Sequence, residues 1–267
     1  MKTILFIVIA LISSLSAQSI RAGYDVSFGI VGEIGKAEIS YTHDDDSYTI
    51  LVHAWTTGMA SVLSQNREES YISQGRIIDG ILRPDVFVKH RKTDRYTKSS
   101  VFLFDHEVQE VYAHTNREMR VARTRFDVHA MKSIKIDTDE FEHNQETFRF
   151  YTDNDLLSLF FNTQKILPTL KDGDSKKLSA IGSKTPNCAI DIEVPTLLKR
   201  QELQSAMSYV NGKLLTIILH QDIFQSEKGE LHVVFDDDGF AKNVLLKDVI
   251  LFGDIRGKRI YQKLSSN

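Results

Sequence analysis

Apolar residues recur at every second position along much of this chain, and that period limits the folds open to it. Tyr24, Val26, Phe28 and Ile30 alternate with Asp25, Ser27 and Gly29. Ala37, Ile39 and Tyr41 alternate with Lys36, Glu38 and Ser40. Tyr48, Ile50, Val52 and Ala54 follow, with Thr49, Leu51, His53 and Trp55 on the other face. Such alternation marks strands with one buried face. The separators are turn formers, Gly32 to Gly35 and then His43-Asp44-Asp45-Asp46-Ser47. They are too short for a parallel crossover, so the pattern predicts antiparallel hairpins. Further strands are predicted near 67–79, 81–93, 97–105 and 108–115, and again over 214–220, 231–235 and 242–252. Trp55 shares a face with Leu51 and reads as a core anchor.

Two stretches break the period. Thr152-Asp153-Asn154-Asp155 reads as a capping box ahead of Leu156, Leu157, Leu159, Phe160 and Phe161, and Pro168 ends the apolar face. A weaker helix is predicted over about 196–209, with Leu197, Leu198, Leu203, Ala206 and Met207 inward. The expected fold class is therefore mainly β (β-rich α+β). It is a curved antiparallel sheet or half-barrel packed on one central helix, with a second minor helix. Residues 116–149 carry Arg117, Arg120, Arg123 and Arg125, then Asp137, Asp139, Glu140, Glu142 and Glu146. Oppositely charged halves suit an exposed, mutually neutralising strand pair. No repeat, linker or composition shift divides the chain, so residues 20–267 are expected to form a single β-rich domain.

The first 19 residues read as a secretory signal peptide: Met1-Lys2-Thr3, an apolar run over 4–12, then small polar residues. The run over 4–15 is 12 residues long and holds two serines. A membrane helix needs roughly 20 apolar residues. Cleavage after Ser16 or Ser19 places small residues at both recognition positions. The mature chain is then expected in the periplasm, with no stable membrane span. The net charge is −3, and loss of Lys2 makes it −4. That balance gives no support to nucleic-acid or anionic-membrane binding, both of which favour a basic face. Cys188 is the single cysteine, so no internal disulfide forms. No reactive motif surrounds it, and a buried inert thiol is expected.

Motifs that would carry chemistry are missing. Gly29 to Gly35 has the wrong spacing for a dinucleotide loop and leads into a strand, not a helix. The acidic runs 44–46 and 236–238 lack the spacing of a calcium loop. The nine histidines include His43, His53, His90, His106 and His114, without H-E-x-x-H or H-x-H. There is no G-x-S-x-G or S-x-x-K. No catalytic residue, metal ligand or cofactor is expected.

Several segments taken in order resemble domain-of-unknown-function family 3108, a family of exported bacterial proteins. They are Tyr24-Asp-Val-Ser-Phe-Gly with the following Gly32-x-x-Gly35-x-Ala37, Thr56-Thr-Gly-Met-Ala-Ser-Val-Leu63, Gly80-Ile-Leu-Arg-Pro84, Asp155-Leu-Leu-Ser-Leu159 and Phe235-Asp-Asp-Asp-Gly239. The resemblance implies a secreted or periplasmic β-rich domain and supplies no catalytic residues. By analogy of fold, such domains look like the curved half-barrels of lipoprotein carriers, where a sheet wraps a helix around an apolar cavity. The motif positions Thr57, Gly58, Gly80, Arg83, Pro84, Asp155 and Ser158 are expected to be structural. Thr57-Gly58 suits a sharp bend. Pro84 holds Arg83 extended, and Arg83 is expected to pair with a structural carboxylate.

The leading expectation is a non-catalytic envelope protein that binds an apolar small molecule or lipid, or docks an envelope protein. The rival is an envelope hydrolase acting on esters or glycans, with a base drawn from His53, His90 or Asp155. A purely structural module is the third reading.

Overall fold

The structure is a computed structural model that describes residues 18–29, 31–127, 131–148, 150–182, 188–209, 211–219, 229–237, 239–249 and 253–266. Most of the expected signal peptide, residues 1–17, lies outside the described residues. The elements run β1 (Gln18–Phe28), β2 (Gly32–His43), β3 (Ser47–Thr56), α1 (Gly58–Leu63), β4 (Glu68–Ile78), β5 (Ile81–Lys92), β6 (Tyr96–Asp105), β7 (Glu110–Asp127) and β8 (Lys132–Phe148). They continue with α2 (Leu156–Ile166), β9 (Ser175–Ser179), β10 (Ala189–Glu193), α3 (Leu197–Met207), β11 (Lys213–Ile218), β12 (Glu230–Phe235), β13 (Ala241–Val249) and β14 (Gly253–Ser266).

All the strands among the described residues join one 14-stranded sheet in the order β8-β7-β6-β5-β4-β3-β2-β1-β14-β13-β12-β11-β10-β9. Neighbouring strands are antiparallel throughout, and the sheet is not closed: β8 and β9 are its edges. Two meanders, β1 to β8 and β9 to β14, meet where β1 pairs with β14. The period-two reading places the strands well because their turns are short. Asp44 closes the β2–β3 turn by accepting the amides of Asp46 (2.9 Å) and Ser47 (2.7 Å) on Oδ1.

α2 and α3 lie on opposite faces. On the front face, Leu159 joins Ala22, Tyr24, Ile190, Leu215, Val233 and Phe235 in one buried cluster. Leu157 and Phe161 pack against a second cluster of Tyr48, Ile50 and Leu82. On the back face, Leu203 and Met207 of α3 cover Leu214, Val234 and Leu245. Cys188 is buried in the front core beside Phe87 and Ile181.

Three expectations need correction. Trp55 is no core anchor. The buried side of β3 carries Tyr48 and Ile50, and Leu51, on the Trp55 side, is 39% exposed. The N-cap of α2 is Asp155, not Thr152, whose hydroxyl instead donates to the Ser179 carbonyl at 3.0 Å. Leu197 and Leu198 point outward, 63% and 70% exposed. They stand in the first turn after the Thr196 cap, and only Leu203 and Met207 of α3 are buried.

The charged segment forms a ribbon. β6 begins at Tyr96, opposite Met119, whereas the β7–β8 pair extends beyond it to Asp127 and Lys132. Arg117 pairs with Glu142 at 3.4 Å, Arg120 with Asp139 at 3.5 Å, and Arg123 with Glu140. Glycine is required at Gly75, where the β4–β5 register shifts opposite Pro84. A Cβ there would lie 2.1 Å from the Arg83 carbonyl oxygen.

Candidate functional site

The family-like segments 80–84 and 155–158 meet along α2. Gly80, at φ +73°, turns β4 into β5 next to the Lys165 ammonium. Leu82 is clasped by Asn162, which accepts its N–H on Oδ1 and donates Nδ2 to its carbonyl, each at 2.9 Å. Pairing of β5 with β6 begins only at Val86, so the Leu82 backbone has no strand partner on that side. The amide of Asn162 fills the place of one, as buried backbone groups demand.

The start of α2 is a reciprocal cap. Asp155 Oδ1 accepts the amides of Leu157 (2.7 Å) and Ser158 (3.0 Å), and Ser158 Oγ accepts the Asp155 amide at 2.9 Å. Ser73 of β4 donates to Asp155 Oδ2 at 2.5 Å, and its oxygen lies 3.0 Å from the Tyr48 hydroxyl. Burial pushes the Asp155 carboxyl up to about 6, against the pull of these hydrogen bonds. Burial, with the Asp155 charge beside it, also holds the Tyr48 phenol far above its usual range. This network is sealed from solvent and ties α2 to β3 and β4.

Just upstream, Arg83 Nε donates to Asp153 Oδ1 at 3.1 Å, and its terminal nitrogen reaches the Tyr151 hydroxyl at 3.3 Å. The Tyr151 hydroxyl lies 2.7 Å from Asp153 Oδ1 and 2.6 Å from His106 Nδ1. His106 Nε2 donates to the Pro84 carbonyl at 2.8 Å, since a carbonyl only accepts. Burial and the Asp153 hydrogen bond raise the Tyr151 pKa.

The opposite flank of α2 faces β10–β12 through mostly apolar side chains. There Leu156, Leu159, Phe160 and Thr163 face Ile190, Ile192, Ile217, Leu219 and Leu231 across a cavity of about 150 Å³. The Thr163 hydroxyl donates to the Phe160 carbonyl at 2.6 Å, so even this group is satisfied within the helix. The remaining front core is filled by its own aromatic side chains, with Phe160 against Phe235 at 4.9 Å and Phe161 against Phe240 at 5.4 Å. Among the described residues its lining carries no carboxylate, imidazole or thiol. Its lining is complementary to an apolar group.

The other motif positions sit elsewhere. Thr57 precedes α1 without a side-chain cap, its amide donating to Ile34 at 2.9 Å, and Gly58 takes φ +56° at the bend. The three bases considered for a hydrolase do not converge. His53 meets Glu68 at 2.7 Å on the back face, His90 stands two strands away on that face, and Asp155 is buried on the front. Among the described residues no group of three or more His, Cys, Asp or Glu could hold a metal ion. No helix among them is long and apolar enough to cross a membrane. Sequence reasoning missed Asn162, Ser73, Tyr151 and His106. An asparagine inside an otherwise apolar helix face was the one legible signal.

A family model described as "Protein of unknown function (DUF3108)" matches residues 23–258. The chain belongs to DUF3108. The match spans every DUF3108-like segment from Tyr24 to Gly239. No curated protein matches this DUF3108 chain. Among solved structures it is similar to the beta-barrel-like protein of domain of unknown function DUF1849 from Brucella abortus. The identity is 8%, the coverage 94% of this chain and 98% of that one, and the TM-score 0.35.

Proposed function

We propose that this DUF3108 protein is an exported, periplasmic, non-catalytic envelope protein that binds an apolar ligand beside α2, within a sheet curled round that helix. The basic, apolar and small-polar order of residues 1–19 supports export. Reach supports the curl. β4 and β11 are seven strand spacings apart in the sheet order, about 34 Å if flat, whereas a helix is about 10–12 Å across. Yet residues of both wings pack on α2.

The cavity of about 150 Å³ carries the reading. An apolar cleft of that size has room for one benzene-sized group. Pockets for drug-sized ligands run to about 300–1,000 Å³. The ligand portion held here is therefore one ring or the end of a chain, not the body of a lipid. Calorimetric titration with benzene tests this: saturable binding that Ile217→Phe abolishes is the expected result. Absence of binding by the parent protein would refute the reading.

Docking of an envelope protein draws on a different observation. α1 presents Met59, Val62 and Leu63 at 70–80% exposure with none of its residues buried. Mild crosslinking of a tagged protein in the periplasm should then recover a stoichiometric partner, and Met59→Glu should lose it.

A further inference from the structure

A row of side chains crosses the back face. Lys263 of β14 is opposite Arg21 of β1, which is opposite Ser40 of β2. Ser40 is opposite Leu51 of β3, then Ile72 of β4, Val88 of β5 and Val101 of β6. Cross-strand partners share a face, so these residues form one stripe. From β1 to β6 it spans five strand spacings, about 24 Å. α3 covers the back face only at β11–β13, so nothing described covers this stripe. A groove of about 350 Å³ opens along it, lined by Arg21, Ser40 and Leu51 together with Glu38, His53 and Glu68.

Two features set the stripe apart from an ordinary solvated face. The first is the run Leu51, Ile72, Val88 and Val101. A solvated sheet face normally carries polar residues, as the adjoining row of Ser70, His90, Ser99 and Asn116 does. The second is the Arg21–Lys263 pair. Like charges directly opposite destabilise a sheet, and neither has a carboxylate partner among the described residues. The two carboxylates in the groove point to other partners: Glu38 accepts the Tyr261 hydroxyl at 2.8 Å, and Glu68 lies 2.7 Å from His53 Nε2. The Lys263 ammonium lies 5.6 Å from the centre of the Tyr261 ring.

We infer that this stripe binds a single-chain anionic amphiphile, its head group on Arg21 and Lys263 and its chain along Leu51, Ile72, Val88 and Val101. The charge answers two cations that lack a carboxylate partner among the described residues, and the length of the run suits one extended chain. This site is separate from the front cavity and does not depend on it.

Trp55, the single tryptophan, is on the same face of β3 as Leu51 and reports occupancy. Titration of the mature protein with palmitate below its micellar concentration should shift Trp55 fluorescence saturably. Arg21→Gln with Lys263→Gln should weaken palmitate at least tenfold without lowering the melting temperature, because a like-charge pair is relieved. Hexadecanol should bind at least tenfold more weakly than palmitate, and saturating benzene should leave the palmitate midpoint unchanged. Equal palmitate binding by the double variant, parity of the alcohol, competition by benzene, or adsorption to anionic vesicles without saturable palmitate binding would each overturn the inference.

Discussion

Asn162 and Leu82 exchange two hydrogen bonds, each 2.9 Å long, so a side chain on α2 completes the backbone of a strand 80 residues earlier. Replacing Asn162 with Ala strands two buried backbone groups. At about 1–3 kcal/mol for an unsatisfied group, the loss should be about 2–4 kcal/mol. Urea unfolding measures it, and a change below about 0.5 kcal/mol would show that the groups find water instead.

Asp155 makes stability pH-dependent in an unusual direction. Its folded pKa of about 6 lies above the ordinary 3.8. The folded state therefore favours the protonated form. The stabilisation is complete below about 4 and fades as the pH rises through about 6. Asp155→Asn keeps a cap acceptor and removes the titration. Between about pH 4 and 6 its melting temperature, taken relative to the parent's, should climb as the pH rises.

His232 acts in the opposite sense. It is fully buried on the α3 side of β12, its Nδ1 2.8 Å from the Thr216 hydroxyl. Nε2 lies 3.5 Å from Glu230 without forming a hydrogen bond. Burial lowers its pKa from 6.5 to about 4. The stabilisation is present above 6.5 and is lost as the pH falls to about 4. His232→Gln should flatten that acid limb in a series of thermal melts. In the Asp155→Asn background the acid decline should steepen, since the opposing slope is gone.

Gly75→Ala drives a methyl group against the Arg83 carbonyl oxygen, which belongs to backbone and cannot swing aside. Overpacking of this kind costs about 1–3 kcal/mol. A melting temperature equal to the parent's would mean that the Pro84 bulge relaxes. Leu159→Ala, next to an existing void, should lose about 3–5 kcal/mol by denaturant unfolding and enlarge the benzene site.

The strands were legible because their period and turns are local properties. Each hairpin from Tyr24 to Phe104 is fixed by residues within a few positions of one another. The pairing of β1 with β14 was not legible, since nothing local to Ala22 names Gln262 as its partner. The misplaced cap has a similar cause. Thr152 and Asp155 both suit an N-cap, and the choice rests on Ser73, a residue 82 positions away. Trp55 misled because size suggests a core, while the parity set by Tyr48 and Ile50 puts it on the other face. The candidate site was legible only as a greasy helix face. Its boundary on the far side comes from Ile190, Ile192 and Ile217, which no motif links to α2.

The expected leader meets the sheet at β1. Cleavage after Ser19 would remove Gln18 and Ser19, which pair with Ser266 and Ser265 on one side and with His43 and Thr42 on the other. Cleavage after Ser16 keeps both. Intact-mass measurement of secreted protein should therefore find Ala17 as the first residue. A start at Ile20 would mean that these pairs are dispensable.

The seam between the two meanders has a further consequence. Tyr24 donates its hydroxyl to the Ala241 carbonyl, 217 residues later, at 2.9 Å. A polypeptide threading outward from its amino end must keep one flank of its first ribbon vacant until nearly all the rest has emerged. Such a molecule would be slow to mature and exposed to adventitious strand addition in the interval.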